Sequence, residues 1–228
     1  MEKNFTDQNI IASWNQNSQA WITTLDNGYI ESRKVATNAA ILEAVLRHHP
    51  RKVLDMGCGE GWLCRQLDDQ GVETLGIDCA ETLIANAADK RRLRFVCASY
   101  EQLLEGEPVV TEKFEVIVFN YALFGEAHTP AILQLVQHWL EPGGRVIIQT
   151  LDPQHPAFAD RTEAGWIQED WAAMQTVYPS AMPWFYRPLP DWLDLFEQLG
   201  YSLENTTPVA HPEHKSRISV IFTLVKSK

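Results

Sequence analysis

The segment Val53-Leu54-Asp55-Met56-Gly57-Cys58-Gly59-Glu60-Gly61-Trp62-Leu63 constrains this chain more than any other. A short apolar run ends in three glycines at alternate positions, and a stretch with helical spacing follows. That order predicts a strand, a tight turn and a helix. Glycine lets the backbone turn sharply and approach a ligand closely, and the first N–H groups of the helix beyond are unpaired donors. A sharp turn that binds nothing would carry the same glycines. Asp78 closes the next apolar run, Leu75-Gly76-Ile77-Asp78. A carboxylate there can accept hydrogen bonds from both hydroxyls of a ribose. It can also cap the helix that follows, with Glu81 three residues on as its partner.

The alternation continues along the chain. Helical spacing over 6–25 ends at Asn27-Gly28, and a second helix over 31–47 stops at Pro50. Strands are expected at Lys52–Met56, Thr74–Ile77, Leu93–Cys97, Phe114–Phe119 and Arg145–Thr150. Helices are expected at 60–70, 80–89 and 129–140, with a short helix or turn at 99–105. Residues 151–190 break the rhythm. They hold half of the chain's 12 prolines and many aromatic rings, with a helical stretch expected around 161–177. Long irregular segments in compact domains are usually functional. A helix over 191–199 and two strands, 201–209 and 218–225, finish the chain. The short connection between those strands makes them antiparallel neighbours.

Strands alternating with helices imply an α/β fold with a mostly parallel sheet covered on both faces. The 228 residues fit one domain, 1–228, with N-terminal helices at 1–49 and a cap insertion at 151–190. Net charge is −11, which repels phosphate backbones, so nucleic acid is not expected as a partner. The basic run Lys90-Arg91-Arg92-Leu93-Arg94 precedes a strand and reads as a solvated face. The four cysteines, Cys58, Cys64, Cys79 and Cys97, form no CxxC pair, and no apolar run is long enough for a membrane span. A soluble, reduced, cytoplasmic setting is expected, and no metal site; His211 and His214 lack further ligands.

Asp55 bears on the cofactor. A dinucleotide lays its pyrophosphate on such a glycine turn, and an anion two residues before it would be unfavourable there. A cofactor with an amino group and a cationic sulfonium tolerates that anion or uses it. Asp55 therefore favours S-adenosylmethionine over NAD, unless it only braces the loop.

Taken together, VLDMGCGEGWL at 53–63, LGID at 75–78, FEVIVFN at 114–120 and LEPGGRVII at 140–148 resemble the class I S-adenosylmethionine-dependent methyltransferases. The resemblance covers about 45–225 and is closest to the small-molecule group of ubiquinone and menaquinone biosynthesis. It implies a Rossmann-like, doubly wound, seven-stranded sheet whose last strand is antiparallel. It implies that S-adenosylmethionine, and its product S-adenosylhomocysteine, lie by Asp55, Gly57, Cys58, Gly59 and Gly61, with Asp78 on the ribose and Cys79 against the adenine. Ser99 and Tyr100 follow the third strand, where the family often has an acid reading the adenine amino group; Ser99 departs from that pattern. Asn120 and Tyr121 would face the methionine end. Arg33 is the expected partner of the cofactor carboxylate, and Tyr29 beside it is a candidate contact of the methyl acceptor.

For the acceptor, Asn120-Tyr121-Ala122-Leu123 lacks the Asn-Pro-Pro-aromatic pattern of methyltransferases acting on amino groups of DNA bases and glutamine. Trp184, Phe185 and Tyr186 offer apolar walls with polar tips, and His155 is a candidate base or hydrogen-bonding group. The expected function is methyl transfer to a small aromatic or apolar acceptor. A tRNA or other nucleic-acid methyltransferase, an NAD-linked oxidoreductase and a non-catalytic binding module for the cofactor are the alternatives.

Overall fold

The structure is a computed structural model that describes residues 5–91, 93–169 and 171–227; Arg92 of the basic run and the first four residues lie outside the described residues. Seven strands form one sheet in the order β3-β2-β1-β4-β5-β9-β8. They are β1 (Lys52–Met56), β2 (Glu73–Asp78), β3 (Arg94–Cys97), β4 (Phe114–Asn120), β5 (Leu140–Leu151), β8 (Tyr201–Ala210) and β9 (Arg217–Lys226). Strands β1 to β5 are mutually parallel. Strand β9 runs antiparallel to both of its neighbours. This is the doubly wound sheet expected from the sequence.

Buried parallel strands must be apolar on both faces, and successive residues feed opposite cores. Leu54 and Met56 of β1, Ile117 and Phe119 of β4, and Val146 and Ile148 of β5 join one core. It is completed by α6 (His128–Val136) and α7 (Leu189–Gln198). Val53, Val116, Val118 and Ile147 join the other, against α2 (Asn38–Leu46) and α3 (Trp62–Asp68). Phe119 is fully buried, and its truncation to Ala would cost about 3–5 kcal/mol.

Helix α4 (Glu81–Lys90) follows β2, and the short α5 (Tyr100–Leu104) follows β3. Helix α1 (Asp7–Asp26) packs on α4 and on the cap. The expected second helix opens with five residues of π-helix, Arg33–Thr37, before α2. The expected helix at 161–177 is not there. That region carries β6 (Gly165–Glu169), paired antiparallel with β7 (Met182–Tyr186). Trp-Ile-Gln-Glu at 166–169 carries no alternation of its own, and antiparallel pairing with Pro183, Trp184 and Phe185 makes it a strand. Strand β5 also begins earlier than expected, at Leu140, with a register shift opposite Phe114 and Val116 that absorbs the Pro142-Gly143-Gly144 turn.

Candidate functional site

The parallel strands end at one rim of the sheet, and a cavity of about 610 Å³ opens there. Its floor is the glycine turn. Gly57 and Cys58 donate their amides to Ile77 O at 2.7 and 3.0 Å, which fastens the turn to β2. Gly57, Gly59 and Gly61 all have positive φ, between 56° and 77°. A Cβ on Gly57 would collide with the Ala122 methyl, and one on Gly61 would meet the Phe95 ring at 2.6 Å. A Cβ on Gly59 would meet nothing within 4 Å. Gly57 and Gly61 therefore serve close packing, whereas Gly59 leaves its face open beside the cavity it lines.

Two buried acceptors on this floor have no partner. Asp55 is 1% exposed and its Oδ2 takes only the Cys64 thiol, at 3.5 Å; its Oδ1 has no hydrogen-bond partner. Asn120 Oδ1 is in the same condition at the end of the adjacent strand β4. Both residues line the cavity. Burial, together with the nearby Asp78 and Glu60 charges, pushes the Asp55 carboxyl up to about 7, against the weaker pull of the Cys64 hydrogen bond. Buried acceptors left unpaired cost about 1–3 kcal/mol each, so a ligand bringing N–H donors would recover that cost here.

Asp78 does not cap α4. Its Oδ2 accepts Gly59 N–H at 2.8 Å and its Oδ1 accepts Ala80 N–H at 2.9 Å. It ties the glycine turn to the turn after β2 while lining the cavity. Burial raises its pKa, and the amides of Ala80 and Gly59 oppose that shift. Arg33, the first residue of the π-helix, also lines the cavity, with its guanidinium 5.1 Å from the centre of the Trp62 ring. Burial lowers its pKa, partly offset by Glu60 and Tyr121. It makes no ion pair among the described residues. Tyr121 stands in the left-handed region at φ 54°, held by its amide on Gln149 O at 2.8 Å. Such a backbone is uncommon for a bulky residue and turns the chain out of β4 toward the cavity.

The roof is aromatic and comes from two distant parts of the chain. Trp14 and Trp21 of α1 and Trp171 of the cap lie 5.3–6.3 Å from one another, ring centre to ring centre. Trp171 stacks on Tyr178 at 4.5 Å, and its indole N–H donates to Ser180 O. Its φ is 63°, a second left-handed bulky residue. Asn17, fully buried on α1, accepts Ser180 N–H at 3.0 Å and donates to Ser180 O at 2.7 Å, so helix and cap are joined by a two-point amide contact. Phe124, Phe158, Met182 and Trp184 complete the apolar side of the cavity.

The structure brings Arg33, Asp55, Gly57, Cys58, Gly59, Asp78, Cys79, Tyr100, Asn120 and Tyr121 into the cavity wall, with His155 and Trp184 on the cap side. Four expected residues stand apart from that wall. Ser99 is the N-cap of α5, where its hydroxyl accepts Gln102 N–H at 3.2 Å. Gly61 faces Phe95 instead. Tyr29 is 39% exposed beyond the cavity. Tyr186 lies behind the Phe158–Trp184 wall, its hydroxyl donating to Pro153 O and Arg161 O at 3.2 and 3.3 Å. His155 Nδ1 accepts Ala157 N–H at 3.1 Å, so its neutral ring carries the proton on Nε2 and presents a donor there rather than a base. Trp62, Asp7, His128, Glu169 and Trp171 line the cavity without having been singled out. For Asp7 and Trp171 no local pattern exists, because their roles depend on contacts across about 120 and 150 residues. Trp62, the residue after the third glycine, was the one with a positional signal.

The described cations of the basic run are paired. Lys90 pairs with Asp26, Arg91 with Asp68 and Asp69, and Arg94 with Glu73 and Glu112. His211 Nδ1 accepts the amides of Glu213 and His214, which folds the β8–β9 loop. Among the described residues no helix is long and apolar enough to cross a membrane.

This architecture has counterparts. The chain is 27% identical to an uncharacterized methyltransferase of Schizosaccharomyces pombe over 71% of its length, covering 63% of that protein. It is 26% identical to a ubiquinone biosynthesis O-methyltransferase of Rhodopseudomonas palustris over 84% of its length, covering 65% of that protein. It thus spans just under two thirds of each of these curated relatives. In fold it matches the 1,6-didemethyltoxoflavin-N1-methyltransferase of Burkholderia thailandensis, solved with its substrate and S-adenosylhomocysteine. There the TM-score is 0.61 at 17% identity, over 92% of this chain and 87% of that one. The family model for the methyltransferase domain matches residues 29–212, from just before Arg33 through the glycine turn and the cap to the end of β8. With that match over most of its length, the chain belongs to the methyltransferase-domain family.

Proposed function

We propose that the protein is an S-adenosylmethionine-dependent methyltransferase acting on a small aromatic or apolar acceptor. The observation that carries this reading is the shared cavity. One space joins the glycine turn, with its two unpartnered acceptor oxygens on Asp55 and Asn120, to the aromatic roof of Trp14, Trp171 and Trp184. The residues present fit the cofactor. Asp55 and Asn120 would take the N–H donors of its amino group, Asp78 the ribose hydroxyls, and Arg33 its carboxylate. Gly59 would let the nucleoside lie against the backbone.

When bound, a sulfonium supplies a methyl group with an already activated leaving group. What the chain must add is position and exclusion of water. Trp184, Phe158 and Phe124 give the acceptor flat apolar walls, and their edge-to-face contacts at 5.8 and 6.4 Å fix those walls relative to each other. His155 Nε2–H offers a donor to a polar group of the acceptor. Carboxylates of Asp7, Asp55, Glu60, Asp78 and Glu169 line the cavity against the single guanidinium of Arg33 among the described residues, which disfavours a polyphosphate or nucleic-acid backbone.

The test is transfer of labelled methyl from S-adenosylmethionine to a panel of small phenols, hydroxylated heterocycles and aromatic amines, with bulk tRNA as the macromolecular control. Labelling of small acceptors, with tRNA unlabelled, is expected. Labelling of tRNA alone would contradict the proposal.

A further inference from the structure

Two histidines line the cavity, and different groups stand at their Nδ1 atoms. His155 Nδ1 accepts an amide N–H, so Nε2 bears the proton. His128, the first residue of α6, has Nδ1 3.5 Å from Asp7 Oδ2. The same carboxylate oxygen accepts the His128 amide at 2.5 Å. At 3.5 Å the ring contact is a charge contact longer than a hydrogen bond, and the negative charge beside Nδ1 favours a proton on that nitrogen over Nε2.

Asp7 is itself immobilised. It is 8% exposed, and its Oδ1 and Oδ2 accept the amides of Glu126 and Ala127 at 2.8 and 3.1 Å. It reaches α6 from α1, the helix that roofs the cavity with Trp14. Of the other charged groups nearby, Arg187 is buried, its charge acts on Asp7, and its Nη1 has no hydrogen-bond partner among the described residues. On the turn before α6, Glu126 accepts the Trp166 indole N–H, and Arg187 at the end of the cap strand donates to Glu126 O at 2.8 Å. Helix α5, which packs on α6, brings Tyr100, whose hydroxyl donates to Ala122 O, and Glu101, which accepts from Gln8.

We propose that His128 is the general base of methyl transfer, that Asp7 is its positioning residue, and that the acceptor nucleophile is therefore a protic hydroxyl or amine. The proposal rests on the methyltransferase reading above. In the step, the acceptor O–H or N–H bond breaks and its proton passes to His128 Nε2. The freed electron pair forms the bond to the methyl carbon, and the carbon–sulfur bond breaks with its pair remaining on sulfur. The proton then leaves His128 to water.

The tautomers can be read without any acceptor, by long-range proton–nitrogen correlation spectra of protein labelled with 15N-histidine, with S-adenosylhomocysteine added. His128 protonated on Nδ1 and His155 protonated on Nε2 are expected; His128 protonated on Nε2 with a bare Nδ1 overturns the proposal. The same sample reports separately whether S-adenosylhomocysteine binds, so failure of the cofactor reading is distinguishable. With a methylated acceptor from the panel, His128→Gln is expected to lower kcat at least about 100-fold at similar KM. Asp7→Asn, which keeps the shape, is expected to lower kcat about tenfold and displace the acidic limb of the pH–rate profile. A His128→Gln enzyme retaining most of its kcat overturns the assignment.

Discussion

The two sides of the cavity are built on opposite principles. The floor is backbone and short polar side chains from strand ends that are adjacent in the sheet: Asp55 to Gly59 after β1, Asp78 after β2 and Asn120 after β4. Its geometry comes from positive φ angles and amide hydrogen bonds. The roof is large rings carried by α1 and the cap, joined at Asn17–Ser180 and at the Trp14–Trp21–Trp171 cluster. A backbone-built floor suits a fixed ligand and tolerates little change. A side-chain roof can be refitted ring by ring, which suits an acceptor that varies among relatives.

If that contrast holds, S-adenosylhomocysteine affinity should fall steeply for changes in the floor and hardly at all for changes in the roof. Gly57→Ala places a methyl against Ala122 in a backbone with φ 77°, and calorimetry should show affinity reduced at least about 100-fold. Asp55→Asn removes the charge facing the ligand amino group, and a loss of about 10- to 100-fold is expected. Arg33→Ala should cost about tenfold, and unchanged affinity would remove Arg33 from the carboxylate site. Asn17→Ala should change affinity less than about threefold while lowering unfolding stability by about 1–3 kcal/mol in denaturant titrations. Ser99→Ala should be nearly silent in binding and cost about 1 kcal/mol of stability, because its hydroxyl serves the α5 cap.

Asp55 also makes the floor pH-sensitive in a defined direction. Its carboxyl is at about 7 when folded, against an ordinary value of 3.8. Between those values the folded free protein holds a proton that the unfolded chain has released, so stability falls as pH rises through that window. Thermal melts of the free protein should show that slope, and Asp55→Asn should flatten it. If Asp55 takes the ligand amino group as proposed, affinity should run the other way, rising with pH toward and through 7 as the carboxyl ionises.

The same contrast explains what was legible in the sequence. Floor residues sit within a few positions of glycines and strand ends, so Asp55, Gly57, Gly59 and Asp78 are found by local reading, and Asn120 through the family resemblance. The α/β class with a mostly parallel sheet follows from the alternation of apolar runs with helices, whereas the seven strands with an antiparallel last one follow from the family resemblance. The roof is different. Prolines and aromatic residues at 151–190 announce a cap, but strands β6 and β7 exist only through mutual pairing. Tyr186 and Trp184 are two residues apart in one strand, yet only Trp184 reaches the main cavity, because the Phe158 ring lies 5.2 Å from Tyr186 and contributes to the wall between. Ser99 stands outside the cavity wall, where it starts α5 and accepts the amide three residues on. His128 and Asp7 are 121 positions apart, and only folded α1 brings them together.

The central claim is that the floor takes an adenosyl sulfonium cofactor and not a dinucleotide. Calorimetric titration of the wild-type protein with S-adenosylhomocysteine, with NAD as control and Gly57→Ala alongside, tests it most directly. Saturable one-to-one binding of S-adenosylhomocysteine, absent for NAD and lost in Gly57→Ala, is the predicted result. Binding of NAD instead, or S-adenosylhomocysteine binding that Gly57→Ala leaves intact, would contradict it.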